Sequence, residues 1–237
     1  MNEKMKGIVT VFVDIDDTLW WFTENSKLAL RHTFDAFDIS SVCTYERFKE
    51  VYLKKNLELW NLYHHGLIDK DFLVNERFRF TLKECGYKGD VEKMCHLLDE
   101  EYLRFLALQP TTIPGARQLL EYLVAKGYDV NTLSNGFQGT QQQKLISGGL
   151  SDLIHRNVLS DDCGITKPQR GIFDYALEQC GAEAATTVMI GDNPDADIKG
   201  AHDAGWRTIY FNIRGLDPIE DTADAVVTSL DEIQQIL

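Results

Sequence analysis

Short apolar runs recur along this chain, and several stop abruptly at residues able to do chemistry. In the first, residues 8–13, β-branched and aromatic positions follow one another without polar alternation, and the run ends against Asp14, Asp16 and Asp17. That pattern predicts a strand buried on both faces, as in a parallel sheet. Comparable runs occupy residues 129–133, 157–159, 188–190 and 208–211, with a weaker one at 225–228. Helical periodicity alternates with them. Residues 116–126 place Leu119, Leu120, Leu123 and Val124 on one face, with Gly127 where a C-terminal cap belongs. Residues 171–181 do the same with Phe173, Ala176, Leu177 and Cys180. Strand and helix in alternation predict an α/β fold with right-handed crossovers and a Rossmann-like parallel sheet.

Residues 22–109 break the alternation. Phe48, Val51, Tyr52, Leu59, Leu62 and Tyr63 follow helical spacing. His65-Gly66 and Cys85-Gly86 read as stops, and Asp69 and Asp90 as starts. The expectation is a four-helix insertion at 22–109, dividing a core of 1–21 and 110–237. Gln109-Pro110 and Ile113-Pro114-Gly115 mark the return to the sheet.

Composition narrows the function. The length of 237 residues suits one large domain or a core with an insertion. A formal net charge of −13 argues against a nucleic-acid surface, because phosphate backbones demand Lys and Arg. A small phosphorylated substrate needs only a local cation, from a lysine or a metal. The five cysteines include no C-x-x-C pair, which predicts reduced thiols in a cytoplasmic protein. Nothing approaches the roughly 18 apolar residues of a membrane helix.

The acids after the first run carry the chemistry. Asp14 and Asp16 are two apart, so strand alternation would put them on one face, beyond the carboxyl end where α/β sheets bind ligands. Such a pair can divide labour between an ionised group and a proton donor, and crowded carboxylates suit Mg²⁺. A solvated acidic turn is the plain alternative. Residues 188–192 repeat the design and end at Asp192, before an apparent helix start at Asn193-Pro194. Asp195 and Asp197 fall in that helix's first turn, where the helix dipole alone would favour them. Ser134-Asn135-Gly136 follows another strand and can cradle phosphate oxygens, and Lys167 precedes a helix at Pro168. His64-His65 lacks a third ligand at metal spacing and reads as a helix end, and Cys163 as a small buried residue. Trp20, Trp21 and Phe22 read as packing residues, with stacking on a base the alternative. Neither a P-loop nor a dinucleotide fingerprint is present.

D-x-D-x-T at 14–18, Ser134-Asn135-Gly136, Lys167-Pro168 and G-D-x-x-x-x-D at 191–197 occur in that order. The chain thereby resembles the haloacid dehalogenase superfamily, in its phosphatase branch, over residues 5–21 and 110–237. The insertion looks like that family's α-helical cap. Asp17 after the second acid, Asn135-Gly-Phe137, Gln141 and Lys144-Leu145 are similar to the pyrimidine 5′-nucleotidase branch. The resemblance implies a Mg²⁺-dependent phosphomonoesterase. Asp14 would be the nucleophile and Asp16 the acid and base. Thr18, Ser134, Asn135 and Lys167 would hold phosphate oxygens or align the nucleophile. Mg²⁺ would sit on Asp14, the Asp16 carbonyl and Asp192, supported by Asp197. Asp17 is expected to point outward or toward the cap, with no chemistry. Rival readings are a sugar-phosphate phosphatase sharing the same four motifs, a haloacid dehalogenase, which Asp16 opposes, and a phospho-aspartate signalling module, which the length and the insertion oppose.

Overall fold

The computed structural model describes residues 4–217, 219 and 221–237. Six parallel strands form one sheet in the order β3-β2-β1-β4-β5-β6. They are β1 (Thr10–Val13), β2 (Asp129–Ser134), β3 (Arg156–Leu159), β4 (Thr187–Gly191), β5 (Arg207–Phe211) and β6 (Ala225–Val227). Every residue of β1 and β4 is buried, as their unbroken apolar runs require. Register does the positioning. Val13 of β1 lies beside Thr132 of β2 and Ile190 of β4. β1 ends there, β4 one residue on at Gly191 and β2 two residues on at Ser134, so the three strands finish at the same edge, and Asp14 still donates its N–H to Ile190 O at 2.9 Å.

The chain folds into two compact units, residues 1–22 with 110–237, and residues 23–109. In the sheet unit, α5 (Ala116–Ala125), α6 (Gln138–Ser147), α7 (Ser160–Cys163) and α8 (Arg170–Cys180) link the strands. One core cluster joins Phe12, Met189, Phe173 and Trp206. The rings of Phe173 and Trp206 meet edge to face at 5.3 Å, a favoured aromatic geometry. After β4 the chain enters a wide π-type turn at Pro194–Lys199 that continues as α9 (Gly200–Asp203). Asn193 caps it, its side chain accepting from the N–H groups of Asp195 and Ala196. Cys163 is half-buried against the core cluster.

The helical unit holds α1 (Phe22–Ala36, entered from the sheet unit), α2 (Tyr45–His64), α3 (Lys70–Glu84) and α4 (Val91–Ala107). Asp69 and Asp90 cap α3 and α4 through Phe72 N at 2.8 Å and Lys93 N at 3.0 Å. Each such cap contributes about 1 kcal/mol. Phe34, Phe48, Tyr52, Phe78 and Tyr102 form its aromatic interior. A buried ion pair lies among them, Arg77 Nε donating to Asp99 Oδ1 at 2.6 Å. His65 closes α2, its ring bonded to Asn61 O. Among the described residues no helix is long and apolar enough to cross a membrane.

Candidate active site

The common sheet edge gathers the candidate residues. Asp14 leaves β1, Ser134 ends β2, and Asp192 follows β4. Carboxylate oxygens of Asp14, Asp192 and Asp197 lie within 4.8 Å of one another, and all three residues are buried. Asp197 reaches in because the turn after Asn193 brings it back over β4, where its carboxylate accepts from Asn193 N at 3.0 Å. Gly191 makes room: a Cβ there would collide with the Asp197 carboxylate.

Lys167 sits at the centre and is 2% exposed. Its ammonium donates to Asp14 Oδ1 at 2.7 Å, to Asp197 Oδ1 at 2.6 Å and to Leu133 O at 2.6 Å. All three of its N–H bonds are thereby used. Its main chain is fixed by Asn135, whose side chain accepts from Lys167 N at 2.7 Å and donates to Lys167 O at 2.9 Å. The Asn135 side chain thus holds Lys167 in place. Arg214 contacts Asp192 Oδ2 at 2.6 Å from the other side.

Asp16 stands apart from the triad. Strand alternation does not place it, because β1 ends at Val13 and residues 15–20 form a tight turn closed by Leu19 N and Trp20 N on Ile15 O. Its carboxylate is held by α6 instead. Lys144 Nζ reaches Oδ1 at 2.7 Å and Oδ2 at 2.9 Å, and Gln141 Nε2 reaches Oδ2 at 3.0 Å. Gln141 also donates to Ser134 Oγ at 2.6 Å. Thr18 is fully buried, and its Oγ1 has no hydrogen-bond partner among the described residues. Of the two placements expected for Asp17, the outward one does not hold: it is 8% exposed and lies in the left-handed region at φ 58°, near enough to Asp192 to repel it. Trp20 is fully buried, with Lys144 Nζ 4.9 Å from its ring centre, so it packs in the sheet unit.

Electrostatics reflect crowding. Burial pushes the Asp14 carboxyl up to about 7, against the pull of Lys167 and with repulsion from Asp197 and Asp16. Burial also drives Asp192 well above its usual range, Arg214 only partly offsetting it while Asp197, Asp14 and Asp17 add to it. Burial alone would lower the Lys167 ammonium, but Asp14 and Asp197 outweigh it and hold the residue above its ordinary value. Three buried acids therefore face one buried cation and one part-exposed guanidinium. The excess of hard oxygen donors fits a divalent cation of the Mg²⁺ type.

A stability consequence follows from the sign of the Asp14 shift. Folded Asp14 keeps its proton to about pH 7, whereas the unfolded carboxyl releases it near 3.8. Between those values the folded state binds more protons, so its contribution to stability is present below the lower value and lost as pH rises through the upper. In EDTA, urea midpoints are expected to fall between about pH 4 and about pH 7. Adding Mg²⁺ should flatten that decline. A midpoint that rises over this range in EDTA would contradict the assignment.

The profile of the haloacid dehalogenase-like hydrolases matches residues 8–205. The chain belongs to that family. HAD-hydrolase YfnB of Bacillus subtilis is 34% identical over 209 residues, covering 88% of this chain and 86% of that protein. Pyrimidine 5′-nucleotidase YjjG of Escherichia coli is 33% identical over 229 residues, 96% of each. The crystal structure of magnesium-bound YfnB superposes with a TM-score of 0.86 at 32% identity, covering 98% of this chain and 99% of that one.

Three residues of this haloacid dehalogenase-like hydrolase have site contacts that the motifs did not assign. Gln141 and Lys144 had entered only as part of a resemblance, yet with Leu145 they are the buried residues of α6. A Gln and a Lys on the inward stripe of an amphipathic helix is itself a signal, because such positions are ordinarily apolar. Arg214 lies in the connection after β5 and has no comparable sequence cue.

Proposed function

We propose that this hydrolase is a Mg²⁺-dependent phosphomonoesterase that prefers nucleoside 5′-monophosphates bearing a pyrimidine base. The observation carrying the reading is the separation of two carboxylates two residues apart. Asp14 lies in the acidic triad under Lys167, while Asp16 is held outside it by Lys144 and Gln141. A nucleophile and a proton carrier need that division.

Mg²⁺ would be held by Asp14, Asp192 and the main-chain carbonyl of Asp16, with Asp197 in support. Its bound charge would offset repulsion among the acids and between them and an anionic substrate. Asp14 attacks phosphorus, the bond to the leaving oxygen breaks, and Asp16 gives that oxygen its proton. Water then attacks the aspartyl phosphate, Asp16 takes its proton, and Asp14 is released with inorganic phosphate. Lys167 keeps Asp14 oriented. Thr18 Oγ1 and Ser134 Oγ serve the phosphoryl oxygens, and Asn135 contributes through its hold on Lys167. Residues 22–109 act as the cap over a catalytic core of 1–21 and 110–237, closing to exclude water. The magnesium-bound YfnB structure, described as revealing interdomain movement, supports both the metal and the closure. The nucleotidase name of YjjG supports the substrate class, and the five free thiols support a cytoplasmic location.

The test is phosphate release from dUMP, dTMP, UMP, purine monophosphates and sugar phosphates, with Mg²⁺ and with EDTA. The expected result is metal-dependent release, fastest with pyrimidine nucleotides. Preference for sugar phosphates would discard the nucleotidase reading and keep the chemistry. No metal-dependent release from any of them would discard both.

A further inference from the structure

Lys144 is 3% exposed and spends its ammonium on a single side chain, contacting both oxygens of Asp16. It lies over two aromatic rings, 4.9 Å from the centre of Trp20 and 5.3 Å from that of Phe22. One helical turn earlier, Gln141 donates to Asp16 and to Ser134 through the same nitrogen. Gly136 permits this approach, since a Cβ there would collide with the Gln141 side chain. Asp16 itself sits in a turn, on a short side chain that rotates about two bonds. Nothing in the turn fixes its carboxyl plane, whereas the donors from α6 do. Charge-assisted contacts to both oxygens are the strong, directional kind. The rings help fix the ammonium in turn, because a cation over an aromatic face is attracted to it.

We propose that Lys144 is a positioning residue for proton transfer: anchored by Trp20 and Phe22 and assisted by Gln141, it aims the Asp16 carboxyl at the leaving oxygen. The proposal rests on the phosphatase reading, with Asp16 as the group that protonates that oxygen. Proton delivery matters most when the leaving group is a poor one. The alkoxide leaving from a nucleoside 5′-monophosphate needs a proton as its bond to phosphorus breaks. The p-nitrophenolate leaving from p-nitrophenyl phosphate is stable without one. Misaiming Asp16 therefore slows the first substrate class selectively.

The experiment compares kcat/KM for dUMP and p-nitrophenyl phosphate in the Mg²⁺-loaded parent, Lys144→Met, Lys144→Arg and Asp16→Asn. The ratio kcat/KM stops at the first irreversible step, so later hydrolysis of the aspartyl phosphate does not enter it. Lys144→Met is expected to lose roughly 10²-fold on dUMP and less than about threefold on p-nitrophenyl phosphate. Lys144→Arg, which still offers a cationic donor pair, is expected to recover most of the dUMP rate. Equal losses on both substrates, or none on either, would overturn the proposal and leave Lys144 a packing residue. The Asp16→Asn arm separates the two levels. Selective loss there without selective loss in Lys144→Met sinks only the role of Lys144. Equal loss in Asp16→Asn removes Asp16 as proton donor and the proposal with it.

Discussion

Asp14→Asn is expected to lower kcat by roughly 10⁴-fold or more while leaving the protein folded. The amide is nearly isosteric with the carboxylate but is a far weaker nucleophile. Lys167 keeps Asp197 and Leu133 O as partners, so no buried ammonium is stranded. The substitution also removes one charge from a crowded cluster, so the pH-dependent loss of stability in EDTA should shrink. Turnover with dUMP, circular dichroism and urea unfolding at two pH values check all three points. Near-parental turnover by a folded variant would remove Asp14 as nucleophile. A variant that fails to fold would show instead that the Asp14–Lys167 contact is structural first.

Lys167→Met is expected to abolish detectable turnover and to destabilise the metal-free protein by about 3–5 kcal/mol. Methionine fills similar volume, so a cavity contributes little. The cost arises because Asp14 and Asp197, both buried, lose the ammonium 2.7 and 2.6 Å away. A neutral partner leaves them uncompensated, and their remaining recourse is to take up protons. Mg²⁺ should recover part of the stability, because it supplies positive charge to the same oxygens, while turnover stays low because Asp14 is no longer aligned. Urea unfolding with EDTA and with Mg²⁺ reads the difference. Equal destabilisation in the two conditions would mean that lysine and metal do not share those carboxylates.

Much of the sheet was readable because its strands are buried on both faces and therefore unbroken in apolar character. The run at 208–211 is β5 less its exposed first residue, Arg207. Asp69, Asp90 and Asn193 announced helix starts because an orphan N–H needs an acceptor at that position whatever surrounds it. The ordered motifs pointed to one edge of a sheet, and register brings Asp14, Ser134 and Asp192 there. The pairing within the site was not readable. Strand alternation cannot say where Asp16 turns once β1 has ended, and nothing local tells whether Asn135 faces a ligand or the backbone of Lys167. Asp17 is buried because the turn takes a left-handed residue there, a choice invisible in a run of acids. Gln141 and Lys144 become meaningful only when the face of α6 they occupy is known to be the inner one.

The central strand has a further consequence, for synthesis of the chain. β1 is made before every other strand of its sheet, yet Thr10 pairs with Asp129 on one side and Thr187 on the other. Until those partners leave the ribosome, Thr-Val-Phe-Val is a bare sticky edge on both sides. The four helices made next depend on nearby contacts and can condense early, whereas the sheet must wait for distant ones. A nascent chain halted between residues 107 and 129 thus carries all four of those helices while the aggregation-prone β1 has neither neighbour. Chaperone demand during synthesis should concentrate in that window.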